Sequence, residues 1–378
     1  MIKHRNERFD VIRGVAILLV LGRHENLGEW WHRVGWLGVD IFFVLSGFLV
    51  AGSIFAEFQR AGDVQLLRFW VRRAMRIYPA FLTMIGATLA VGFLTGNSIK
   101  NLNRIVAEFT WTQNYQLGVW GPTWSLAVEE HFYFLLPLLI WLLLKLRPGA
   151  RDPFRALPGI VLGIGAASVA LRFATEYLLP YRWSTHASPT HLRLDSLFVG
   201  VALAYYVQFR RTTMEPLYAH RWTLLAGSLL LFSTSLRWQL QSPFMHTAGF
   251  TAIYMGTAGL LVFVLSASTP LRQIFRPLAL VGQWSYSIYL WHAAVASYLP
   301  TLLKRAHLGG QQWVQSTAYL MLSLAVGYFM YRAIELPALQ WRERFAFKLG
   351  PLALRTSKEI RSQFDRPRTA PIHSRLAS

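Results

Sequence analysis

Apolar positions in this chain come in long unbroken runs and not in alternation. The runs cover roughly 10–24, 37–55, 79–96, 131–146, 157–178, 191–209, 222–237, 248–267, 278–300 and 314–334. A helix of about 20 apolar residues crosses the ~30 Å hydrocarbon layer of a bilayer, so each run is a candidate span, the first being short. Continuous runs argue against a membrane barrel, whose strands alternate apolar and polar positions. The pattern predicts an all-α, polytopic membrane helix bundle of about ten transmembrane helices over residues 1–345. No soluble domain of useful size is expected. Residues 346–378 are basic and poor in apolar types, and they predict a disordered cytoplasmic tail.

Composition agrees: hydrophobic types make up 54% of the 378 residues and charged types 15%, against about 25% charged in soluble domains. The net charge of +20 looks at first like a nucleic-acid signal. Its distribution says otherwise. Counting helix-end residues with the adjoining loop, the two termini and the loops after even-numbered runs hold 26 Lys and Arg, and the other loops hold 8. That bias places both termini in the cytoplasm. A nucleic-acid partner would call for a basic soluble domain, and none is visible. The first run resembles a signal peptide, but "HENLGEWW" follows it in place of small residues, so it is expected to stay as a helix. The absence of cysteine excludes a cysteine nucleophile and cysteine metal ligands.

A few polar groups interrupt the apolar runs. His24 follows Arg13 by eleven residues, which is about three helical turns and a rise of about 16 Å, so the two share one helix face. Ionisable groups at such depths line cavities or meet partners; the alternative is snorkelling at the two interfaces. Asp40 opens the second run on the same outer side as His24 and is a candidate to hold one nitrogen of that imidazole. Its alternative is a helix N-terminal carboxylate. Ser46 and Gly47 read as a close-packing position. Arg72, Arg73 and Arg76 in "RRAMR" form a group suited to forked phosphate contacts, or to anionic lipid.

Glu129 and Glu130 stand at the outer start of the fourth run and either bind hydroxyls or cap the helix. Trp120 and Trp124 either stack on a sugar face or belong to an interfacial belt. Arg193 and Asp195, two apart, cannot face each other, so each is expected to pair with another helix. His292 is either a buried, hydrogen-bonded group or a second site residue. Glu335 is expected to pair with an inner arginine, and the remaining histidines to be surface or loop groups. No zinc-type ligand spacing is visible.

The fragments "RGVAILLVLGRH", "GVDIFFVLSGFLV", "RRAMRIYP", "TWSLAVEEHFYFLLPLL", "HLRLDSLFVG", "SYSIYLWH" and "IELP" occur in this order over roughly residues 8–340. Together they resemble the membrane acyltransferase-3 family. The resemblance implies a ten-helix bundle that moves an acyl group, most often acetyl, from acyl-coenzyme A to a hydroxyl of a carbohydrate or glycolipid. It implies Arg13 and His24 as the signature of the site. It implies Arg72, Arg73 and Arg76 as the donor-handling group, and it carries Glu129, Glu130, His292 and Glu335 along. Trp124 joins the two glutamates as a candidate acceptor-binding residue. Two departures stand out: the chain shows no esterase-like domain of the kind some relatives carry, and Arg23 precedes His24 where a small or apolar residue is expected.

These expectations combine into one route. The nucleotide of acetyl-coenzyme A stays at the cytoplasmic arginines while its pantetheine arm passes Arg13 and delivers the thioester near His24, which acts as general base. The competing readings are a secondary transporter and a flippase, neither of which consumes the thioester. The expected setting is a bacterial cytoplasmic (inner) membrane, with lipid around the bundle and a cell-envelope acceptor outside. Because the chain lacks cysteine, a single-cysteine scan is clean. An impermeant thiol reagent applied from outside should label a cysteine at Asn101 and miss one at Gly62; the reverse pattern inverts the protein.

Overall fold

The computed structural model describes residues 7–25, 28–96, 101–266, 275–307 and 311–348, with side chains through Arg342. The expected tail lies outside the described residues from 349 onward. The helix Leu336–Lys348 runs through the expected 345/346 boundary without a break. Among the described residues all regular structure is helical.

Each apolar run lies in a long helix: α1 (Glu7–His24), α2 (Leu37–Ala61), α3 (Leu66–Leu94), α4 (Trp124–Leu146), α5 (Leu157–Leu178), α6 (Leu194–Phe209), α7 (Arg221–Arg237), α8 (Phe250–Ser266), α9 (Arg276–Arg305) and α10 (Gln312–Met330). Among the described residues, six helical stretches are long and apolar enough to cross a membrane: Glu29–Ala61, Leu66–Leu94, Gly121–Leu146, Leu157–Leu178, Met245–Ser266 and Gln312–Arg342. α6 is apolar but shorter. α1 carries Glu7, Asp10, Arg13 and Arg23 within 18 residues, so its mean hydropathy understates an element whose polar groups face protein.

Two helix starts differ from the sequence reading. α3 begins at Leu66 and not near 79, and α4 at Trp124 and not near 131. In both cases charged residues ended the apolar run while the helix itself continued, because those charges turn inward to partners. α2 ends where Gly62 adopts a left-handed φ of 71° and returns its N–H to the Phe58 carbonyl, a closure that glycine makes without steric cost.

In a bilayer the hydrophobic effect does not drive helices together, so close backbone contact must do it. α1 lies along α9, and α2 along α6. A Cβ on Gly14 would overlap the Leu278 carbonyl oxygen, and one on Gly282 that of Asp10. Gly47 meets Leu197 and Gly200 meets Val44 in the same way. The close-packing role read for Gly47 is therefore what the structure has.

Charge ties the other seam. Asp40 of α2 forms a buried ion pair with Arg193, just ahead of α6. Asp195 of α6 pairs with Arg172 of α5 at 2.7 Å, and Arg172 also donates to Thr251 Oγ1 of α8 at 2.8 Å. Arg193 lies 3.8 Å from the Phe250 ring centroid and within 6 Å of the rings of Phe43, Trp124 and Tyr254. Arg193 and Asp195 thus each pair with another helix, as their two-residue spacing required. Replacing Arg193 with Met should cost about 3–5 kcal/mol, because Asp40 is left buried without its cation. The double variant Arg193→Met/Asp40→Leu should recover most of that loss. Thermal unfolding in lipid nanodiscs measures both.

Candidate active site

The inner part of the site is built where α3 passes α4. Arg72, Arg73 and Arg76 fall in the first turns of α3 but do not act as one group. Arg72 is committed to Glu57 of α2 at 2.8 Å. Arg73 turns to α4 and lies 5.1 Å from the Tyr133 ring centroid, where its charge acts on Glu129 and Glu130, and Arg76 acts on the same group. Tyr133 OH donates to Glu129 Oε2 at 3.0 Å and meets Ser46 Oγ of α2 at 2.7 Å. Tyr78 OH donates to Glu130 Oε2 at 3.2 Å. The charge of Arg13 on α1 also acts on Glu129. Because α4 starts at Trp124, its two carboxylates lie in the second turn, inside the bundle, and not at the mouth the sequence suggested. Glu130 Oε1 is buried there with no hydrogen-bond partner.

A further part is built where α1 ends beside α9. His24, exposed, closes α1, and its ring centroid lies 4.8 Å from that of His292, which is fully buried. His292 Nδ1 is 2.6 Å from the Tyr289 carbonyl. A carbonyl only accepts, so that nitrogen carries the proton and Nε2 keeps a lone pair. Nε2 is buried without a partner. Tyr289 OH in turn donates to the Pro122 carbonyl at 2.8 Å and contacts Ser125 Oγ, which binds α9 to the start of α4. Arg23, the unexpected neighbour of His24, is engaged by His32: its Nη1 lies 3.0 Å from His32 Nε2 and donates to the His32 carbonyl at 3.2 Å.

Two sequence expectations change. Asp40 does not hold His24; its carboxylate is taken by Arg193, because the second helix turns that position toward α6. Trp124 is buried edge-on against Phe43 and Trp183 and next to Arg193, so its face is not offered to a sugar. Trp120 donates its indole N–H to Thr88 at 2.9 Å. Glu335 accepts a hydrogen bond from Ser287 Oγ of α9 at 2.7 Å.

Two groups escaped the sequence reading. Glu108, in the helix Leu102–Thr110, is fully buried and accepts from Val119 N–H at 2.7 Å and Thr123 Oγ1 at 2.8 Å. Burial pushes its carboxyl up and those hydrogen bonds pull it down. It pins the loop that leads into α4. Nothing in a lone Glu within an amphipathic segment marks it. The second group is Glu176, His186 and His246, whose candidate ligand atoms all lie within 4.8 Å of one another. Both histidines are buried and not surface groups. Burial and the charge of His246 push His186 down, against the pull of Glu176. Gaps of ten and sixty residues form no recognisable motif.

Residues 6–332 match the family model described as an acyltransferase domain. The chain is 29% identical over 317 residues to a peptidoglycan O-acetyltransferase, OatA, of Listeria monocytogenes, covering 78% of this chain and 50% of that protein. It is 29% identical over 367 residues to a putative O-acetyltransferase of Staphylococcus aureus strain MRSA252, covering 89% and 59%. It is 24% identical over 349 residues to the O-acetyltransferase OatA of Staphylococcus aureus strain NCTC 8325, covering 87% and 56%. The chain thus spans about half to six-tenths of the length of these relatives. No solved structure matches it. With the family model covering most of its length, the chain belongs to the acyltransferase-3 family.

Proposed function

We propose that this protein is an integral membrane O-acetyltransferase that takes acetyl from cytoplasmic acetyl-coenzyme A and places it on a hydroxyl of a cell-envelope carbohydrate or glycolipid. The bundle crosses the inner membrane ten times, with both termini in the cytoplasm and residues 346–378 as its tail. The name of the Listeria monocytogenes relative makes peptidoglycan the first acceptor to try.

The observation that carries the chemistry is the imidazole pair, His24 beside a His292 whose Nε2 lone pair is unpartnered. It lies at the outer end of a polar file that starts at Arg73. Arg73 and Arg76 receive the phosphates of the donor through charge-assisted hydrogen bonds. Arg13 and Tyr133 line the way for the uncharged pantetheine arm. His24 takes the proton of the acceptor hydroxyl as its oxygen attacks the thioester carbon. The C–O bond forms, the C–S bond breaks, and the leaving thiolate takes up a proton to give free coenzyme A. His292 faces His24 with a fixed tautomer and orients or relays that proton. Glu129 and Glu130 hold the arginine and tyrosine side chains in place and are open to acceptor or donor polar groups. Only the acetyl group crosses the membrane.

Purified protein in nanodiscs, given acetyl-coenzyme A and a glycan fragment, should release free coenzyme A and give an ester seen by mass spectrometry. A transporter or flippase would leave the thioester intact. His24→Ala should lower kcat by about 10²–10⁴-fold with donor KM little changed, as loss of a general base does; residual activity above about a tenth removes His24 from that role. Arg73→Ala should raise the acetyl-coenzyme A KM by about 10–150-fold, the equivalent of roughly 1.5–3 kcal/mol for a charged hydrogen bond. A change in acceptor KM alone would place Arg73 on the other substrate.

A further inference from the structure

A second constellation lies outside the file from Arg73 to His24. Glu176 is in the last turn of α5, His186 ends the short turn Trp183–His186, and His246 lies in the five-residue π-turn Met245–Gly249 that leads into α8. Single π-turns inside helices recur at functional sites, because the extra residue re-aims a side chain. His246 is the second residue of this turn. Glu176 Oε2 is 2.8 Å from His246 Nδ1 and 3.6 Å from His186 Nε2. In a tetrahedral zinc site with bonds of about 2.0–2.1 Å, neighbouring donors stand about 3.3 Å apart, and the two observed separations bracket that value.

The surroundings of the three residues leave Glu176 Oε2, His186 Nε2 and both nitrogens of His246 buried without a hydrogen-bond partner. His186 Nδ1 lies 2.8 Å from the Thr185 hydroxyl and accepts from the Arg182 N–H at 3.4 Å. His186 Nε2 is left facing Glu176, buried and without a hydrogen-bond partner. A hydrogen bond to the ring nitrogen that faces away from the metal is what orients a ligating imidazole. His246 Nδ1 and Glu176 Oε2 are at hydrogen-bond distance but not in hydrogen-bond alignment, and both atoms are buried without such a partner. A proton or a cation shared between that nitrogen and the carboxylate oxygen would satisfy both. Tyr181 stacks on His246 at 4.8 Å and packs on His186 at 5.3 Å, closing one side. The charge of Arg23 acts on Tyr181, which sets the cluster beside the outer end of α1.

We propose that Glu176, His186 and His246 bind one divalent transition-metal cation of the zinc class. Two imidazoles and one carboxylate make a three-ligand set of the kind that leaves a fourth position for an exogenous oxygen. Glu176, the partly exposed member, opens that position to the outer side. The ion cross-links the end of α5, the turn after it and the start of α8. The inference does not depend on the acyl-transfer reading.

The test uses full-length protein carrying no polyhistidine tag, in nanodiscs, stripped with a chelator and titrated with zinc chloride alone. Calorimetry should give one site per chain. His246→Ala and Glu176→Gln should each weaken binding by more than the roughly 10–100-fold lost with an outer-shell partner, with helical circular dichroism unchanged. Should a variant fail to fold, the native protein still decides the matter. Cobalt(II) chloride should develop visible absorption of a tetrahedral nitrogen and oxygen site, and zinc should bleach it. No saturable zinc site in the native protein, an unchanged affinity in His246→Ala, or a cobalt spectrum of the hexaaquo ion would each overturn the proposal.

Discussion

The buried ion pair between Asp40 and Arg193 is the interaction on which the rest of this bundle depends. A guanidinium within a bundle of this kind has no water to fall back on, so its partner decides where the helix carrying it can sit. Arg193 has one carboxylate and four aromatic rings around it, drawn from α2, α4 and α8. Two residues on, Asp195 takes Arg172 of α5. The pairs lock α2, α5, α6 and α8 into one block. That block holds Ser46 against Tyr133, and Tyr133 carries the hydrogen bond to Glu129. The geometry at Arg73 therefore follows from a charge pair on another seam.

A second block is set by backbone contact instead of charge. Gly14 and Gly282 let α1 and α9 touch at their first turns. The two helices run side by side from there, so His24 arrives next to His292 further along. The register of the imidazole pair is thus fixed at the far end of the same two helices. Arg23 is kept by His32, which keeps its charge engaged at the entrance to the pair.

Much of this was legible in the chain. Arg13 and His24 share a face because eleven residues close on three helical turns, and the apolar runs located every long helix. The pairing logic of Arg193 and Asp195 was also readable, since residues two apart on a helix face different ways. Other readings missed in an instructive way. Asp40 was placed near His24 because the charge distribution put both on one side of the membrane, yet shared depth says nothing about which helix is the neighbour. Glu129 and Glu130 were placed at a helix mouth because charge ended the apolar run. The helix in fact began earlier, because the carboxylates found Tyr133 and Tyr78 inside.

The sequence by itself determined the all-helical character, the helix-facing register of its polar groups and its family, because hydropathy, helical periodicity and ordered motifs are one-dimensional properties. Tertiary structure alone decided the neighbours: His292 beside His24, Arg193 on Asp40, Glu108 under its loop, and Glu176 between His186 and His246. Those partners lie from about ten to nearly three hundred residues apart in the chain. In lipid the apolar faces of different helices are nearly interchangeable, so helix order in space is chosen by glycine contacts and by buried charges finding a counter-ion. Neither choice leaves a local trace in the residues around it.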